Sequence, residues 1–204
     1  MNRVLISLHV LLTTPIPVPW SLLIRGAVIV LAYTLARPIA PLIGIDAVNF
    51  AALAGLITTV FRNLESTLMK QEIDPSVDAM FVGSFVAITI GASAVLLYVP
   101  AALLPYVMSA GVATMGAIYS AVLLWDRPLL DRMGWTVEHW GVEGQANYVR
   151  WMILRCFGLA AATAYAAAYG TRPEWIVAHA ALPIAFYALF YWTIIATHPY
   201  EDDA

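Results

Sequence analysis

The chain has 204 residues, of which 62% are hydrophobic and 11% charged, and its net charge is -3. A soluble domain of this size carries about a quarter charged residues, so a water-soluble globule is excluded and a polytopic membrane protein with small loops is indicated. The slight negative charge argues against nucleic acid as a partner, and the single cysteine, Cys156, rules out an intrachain disulfide or a metal site of several thiolates.

The chain opens with Arg3 and an apolar run over residues 4–12, followed by TTPIPVPW. No small-x-small cleavage site follows, so residues 1–19 read as a retained amphipathic or re-entrant lead-in. The first predicted span is Trp20–Ala36, with Arg25 near one end and Arg37 just past the other. Pro38 and Pro41 break the helix there. A second apolar run covers Ala47–Phe61, and the polar loop RNLESTLMKQEIDPSVD comes after it. From Ala79 to Trp125 no residue is charged. That is too long for one span, which needs about 20 residues. Pro100 and Pro105 divide it into helices over 79–98 and 106–125. The charged segment 126–150 follows as an amphipathic loop. Spans over 151–169 and 175–196 are joined by the turn GTRPE, and the chain closes with the acidic tail THPYEDDA. The expectation is an all-α, single-domain membrane helix bundle of about six transmembrane helices, or five if the first lies in the interface.

Six spans put Arg3, Arg25, Arg62, Lys70, Arg127, Arg132 and Arg150 on one side, and Arg37 and Arg172 on the other. Basic residues favour the cytoplasmic side. The expected setting is therefore a bacterial inner membrane with both termini and segment 126–150 in the cytoplasm. Small residues recur every fourth position in three stripes: Ala51, Gly55 and Thr59; Gly83, Ala87 and Gly91; and Gly158, Ala162, Ala166 and Gly170. Residues four apart share a helix face, so each stripe admits a close backbone, either within the bundle or from a partner subunit.

Two residues mark a candidate intramembrane polar site. Arg155 sits one turn inside the fifth span, where it either snorkels to the headgroups or binds an anionic group. Trp151, four residues earlier, shares its face and is placed to stack on it. His179 sits one turn inside the last span. No two of the four histidines lie on one helix at ligand spacing, so neither haem nor another cofactor is expected. Glu138, His139 and Glu143 read as a solvated loop rather than a metal site. No nucleophile, phosphate-loop or zinc-protease motif occurs, and no catalytic residue is expected.

The densest mix of charge and tryptophan is LWDRPLLDRMGWTVEHW, residues 124–140. Trp125 and Trp135 suit the aromatic belt at a membrane surface. Leu129, Leu130 and Met133 suit an interfacial helix entered through Pro128. Arg127, Asp131, Arg132 and Trp135 form the candidate interaction surface. RPLLDRM after a long uncharged span, then span-leading Trp151 and Trp175, then THPYED, resembles the intracellular septation protein A family, the YciB/IspZ group of inner-membrane-spanning proteins. The resemblance covers roughly the last 80 residues. It departs from the family at AAATAYAAA, which has no asparagine, and at His179, which stands where the family has lysine. It implies a non-enzymatic inner-membrane protein that acts in septation and envelope integrity through protein contacts. Two other readings share the same features: an accessory or assembly subunit of a respiratory or photosynthetic membrane complex, and a small transporter or lipid-handling protein. Expected partners are membrane lipids and other inner-membrane proteins.

Overall fold

The computed structural model describes residues 16–70, 75–125 and 142–197. All regular structure among them is helical: α1 (Trp20–Ala36), α2 (Ala40–Ile43), α3 (Ala47–Lys70), α4 (Pro75–Tyr98), α5 (Leu104–Trp125), α6 (Val142–Tyr169) and α7 (Arg172–Thr197). The lead-in over 1–15, residues 126–141 and the tail beyond Thr197 lie outside the described residues.

Local chemistry sets most helix ends. α1 stops at Ala36, two residues before Pro38, whose ring disfavours helical backbone in the residue ahead of it. α2 has a proline in its first turn and closes on Gly44, whose φ of 69° is left-handed and cheap only for glycine. α3 is capped by Asp46, whose Oδ1 accepts from the Val48 N–H at 3.0 Å. Across the connection to α7, Thr171 and Glu174 form a capping box. The Glu174 carboxylate accepts from the Thr171 N–H at 2.7 Å and from its hydroxyl at 2.8 Å.

Two segments read as loops are largely helical. α3 continues through RNLESTLMK to Lys70, and α4 begins at Pro75. α6 begins at Val142, nine residues' worth of chain before the span expected from Trp151. Hydropathy falls where the bilayer ends, whereas leucine, methionine, lysine, glutamate and arginine carry a helix onward into water. The structure therefore replaces the end of the expected 126–150 loop with the first turns of α6.

Three helices among the described residues are long and apolar enough to cross a membrane: Leu104–Trp125, Gly144–Tyr169 and Arg172–Thr197. The remaining apolar stretches, Trp20–Ala36, Ala47–Phe61 and Thr89–Tyr98, are shorter. The chain is thus an all-helical membrane protein, and its bilayer is reflected in exposed apolar side chains such as Leu31, Leu35, Phe61 and Ile90.

The chain forms two compact units. The first joins Trp20–Val107 to Ala166–Ala181, and the second gathers described residues 108–125, 142–165 and 182–197. In the first unit α1 packs on α3, and α3 on α4. Its core holds Ile29, Val48, Ala51, Ala52, Leu104, Trp175 and Ile176. Glycines set the approach: a Cβ on Gly55 would meet Ile29 at 3.0 Å, and one on Gly26 would meet the Ala180 carbonyl oxygen at 3.1 Å. The stripe containing Ala51 and Gly55 is thus consumed inside the chain. In the second unit, a Cβ on Gly158 would fall 2.7 Å from the Phe186 ring. The Ser109 and Thr163 hydroxyls meet at 2.9 Å in the same unit. Its α6 start is tied to the α7 end, where Asn147 Nδ2 and Trp151 Nε1 donate to Thr197 Oγ1 at 3.0 and 2.9 Å.

Candidate functional site

The surface residues Arg127, Asp131, Arg132 and Trp135 lie outside the described residues. The other two candidates, Arg155 and His179, fall in different units, and each has partners of its own.

Arg155 projects from α6 onto the aromatic side chains of α7. Its guanidinium carbon lies 5.3 Å from the Phe190 ring centre and 5.9 Å from that of Tyr187. Tyr148 meets Phe190 edge-on at 5.5 Å. The face of an aromatic ring is electron-rich, and a cation over it gains about 0.5 to 2 kcal/mol as water is removed. Trp151 does not stack on this arginine but uses its indole N–H on Thr197. The arrangement holds a cation at low cost beside a small cavity of about 90 Å³ lined by Trp151, Arg155, Phe186 and Phe190.

His179 belongs to a denser constellation in the first unit. Arg25 of α1 reaches it across 154 residues of sequence, with Nη2 3.3 Å from His179 Nε2. An arginine only donates, so Nε2 accepts and the ring proton sits on Nδ1. One turn earlier on α7, Trp175 lies flat against the imidazole, with ring centres 5.1 Å apart and planes 11° apart. Trp175 is 2% exposed and His179 5%. Small residues make the space. Gly26 lets α1 lie against Ala180, and Arg25 Nε runs 3.9 Å from where a Gly55 Cβ would stand. Pro183 has no N–H, so the His179 carbonyl also lacks its usual donor four residues on.

What sets this cluster apart is its unmet donors. Arg25 Nε, Trp175 Nε1 and His179 Nδ1 are all buried, and none has a hydrogen-bond partner among the described residues. No carboxylate pairs with Arg25 there. Asp46 is taken by Arg172, and Glu174 by Thr171. An arginine at a membrane-helix centre costs about 2.5 to 3.5 kcal/mol on insertion scales, and less nearer an end, where Arg25 stands. Each bare buried donor adds about 1 to 3 kcal/mol. Three buried N–H groups, one of them on a permanent cation, are thus left without an acceptor among the described residues.

Trp175 also lines a cleft of about 210 Å³ with Ala101, Pro105, Tyr106, Thr171 and Arg172. Arg172 borders a second, wider cleft of about 680 Å³ that Tyr33, Arg37 and Asp46 help to line. Asn49 organises the same end. Its amide donates to the carbonyls of Leu96 at 2.7 Å and Val99 at 2.9 Å, closing the end of α4. No group of three or more His, Cys, Asp or Glu side chains among the described residues is placed to hold a metal ion.

Sequence reasoning singled out His179 but took Arg25 for a boundary charge and Trp175 for a span marker. The signal available was Arg25 followed by Gly26 inside an apolar run, a charge beside a residue with no side chain. Set against protein-family models, curated proteins and solved structures, the chain matches none.

Proposed function

We propose that the protein is a multi-pass protein of a bacterial inner membrane that acts by binding other membrane proteins, in the manner of the septation and envelope-integrity family it resembles. One observation carries the reading. Of the three small-residue stripes, those on α3 and α6 press against neighbours within their own units at Gly55 and Gly158, whereas Gly83 and Gly91 of α4 have nothing within 4 Å. Ala87, between them, is exposed. A smooth face of this kind lets a second helix approach closely enough for dispersion to hold it without apolar driving force from water. The occupant is a transmembrane helix of a partner protein. On the cytoplasmic side the same partner meets Arg127, Asp131, Arg132 and Trp135, residue types that anchor interfaces.

The test compares three variants for expression, partner co-purification and complementation of a deletion strain. Gly83→Leu with Gly91→Leu fills the α4 face. A triple alanine change at Arg127, Arg132 and Trp135 strips the surface segment. Substitution of Arg155 or His179 probes the membrane interior. The expected result is normal expression with lost partners for the first two. Loss of function confined to the Arg155 or His179 variants, with partners kept throughout, sinks the reading. Division proteins among the partners fit the septation role, whereas pigment or haem subunits assign the chain to an energy-transducing complex.

A further inference from the structure

The three bare donors in the first unit point to a ligand, independently of any protein partner. We propose that Arg25, Trp175 and His179 form a binding site for an oxyanion, the phosphate or carboxylate group of a small molecule or lipid headgroup. Arg25 brings a permanent charge with Nε–H unmet, and among the described residues its only hydrogen-bond partner is a neutral imidazole nitrogen. Trp175 brings an indole N–H, a pure donor. His179 is fixed in the tautomer that turns its own N–H outward from Arg25. All three free positions are donors, so an acceptor satisfies the set and a second donor or cation does not. A planar guanidinium matches carboxylate and phosphate oxygens two at a time.

The approach carries two basic groups and one acid, Asp46, which is paired with Arg172. Arg37 and Arg172 line the wide cleft, and Arg172 also lines the narrow one. Trp175 forms a wall of that narrow cleft and stacks on His179. Arg37 and Arg172 thus stand at the loop end of the unit whose interior holds the cluster. The narrow cleft, about 210 Å³, has room for a small anionic group and reaches the cluster through Trp175. Water alone would have to serve three donors with one or two molecules and would leave the arginine's charge without a counter-ion.

The experiment uses the full chain in nanodiscs of phosphatidylcholine. Inorganic phosphate and acetate are titrated in separately, and a parallel set of nanodiscs contains phosphatidylglycerol. The unfolding midpoint is followed in the unaltered protein, in Arg25→Gln and in Trp175→Phe. The phenylalanine keeps an aromatic ring against His179 and removes the indole N–H together with the second ring. The expected result is a saturable response that weakens about tenfold or more in Trp175→Phe and vanishes in Arg25→Gln. A response to phosphate or acetate identifies a soluble ligand, and one confined to phosphatidylglycerol identifies a lipid headgroup. Phosphate also stabilises proteins by exclusion from their surface, but that effect is the same in all three proteins. If Arg25→Gln does not fold, Trp175→Phe decides alone. Equal responses in the unaltered protein and Trp175→Phe, or no saturable response to any of the three probes, overturn the site.

Discussion

Asn49 shows how a single amide can hold two helices in register. It is 2% exposed, and its Nδ2 serves carbonyls at the end of α4 that no longer have a following helical turn. Leu96 and Val99 take the two hydrogens, and Leu97 at 3.4 Å lies at the edge of bonding range. Replacement by leucine removes both donors and leaves acceptors buried in an apolar setting. Each lost bond of this kind costs about 1 to 3 kcal/mol. Asn49→Leu is therefore expected to lower stability by about 2 kcal/mol or more, read as an earlier midpoint in detergent denaturation followed by helical circular dichroism. Asn49→Gln, with the same amide on a longer arm, should recover part of it. A midpoint unchanged in Asn49→Leu would mean that water serves the α4 carbonyls instead. Nothing about Asn49 stands out in the sequence, because its partners lie about fifty residues away. The same holds for Arg25 and His179. Hydropathy identifies a charge that is out of place but not the group it meets.

Helix ends divide into those that hydropathy reveals and those that it conceals. The ends at Ala36, Tyr98, Trp125 and Tyr169 coincide with the expected span ends, because glycine, proline or the bilayer surface stops the chain there. The polar ends of α3, α4 and α6 were not legible, because RNLESTLMK and VEGQANYVR leave the apolar layer without leaving the helix. The turn GTRPE was legible as a turn, and its chemistry was also present in the letters. Threonine followed three residues later by glutamate is the pattern of a capping box. Removing the Glu174 carboxylate frees the Thr171 N–H at the entry to α7, whose second turn carries Trp175 and whose third carries His179. Thr171→Ala is expected to cost about 1 kcal/mol, with Glu174→Ala similar and the double variant less than additive because both belong to one motif. The comparison requires unfolding midpoints for all three. Strict additivity would show that the two side chains act separately and that the box does not form in solution.

Antiparallel order within each unit constrains how the chain threads the membrane. In the first unit the Asp46–Arg172 ion pair joins the end of the α2 connection to the start of α7, and Asn49 joins the start of α3 to the end of α4. The connections 37–46, 99–103 and 170–171 therefore meet at one end. Two long helices separate the first from the second, and two more separate the second from the third, so each pair leaves that end and returns to it. In the second unit the start of α6 meets the end of α7, as an antiparallel hairpin requires. Five of the ten basic residues, Arg62, Lys70, Arg127, Arg132 and Arg150, lie in the stretches of chain between those connections. Applied to these residues, the bias of basic residues toward the cytoplasm predicts a shared end that faces outward. The test starts from Cys156→Ser, which removes the only native thiol. Leu42→Cys and Leu103→Cys, at positions 84% and 56% exposed, are expected to react with a membrane-impermeant thiol reagent in intact cells. Gly141→Cys and Asp203→Cys should react only after permeabilisation. Labelling of Gly141→Cys from outside reverses the orientation. Opposite behaviour of Leu42→Cys and Leu103→Cys would be more damaging, because it would separate two connections that the contacts of Asp46, Asn49 and Arg172 bring to one end.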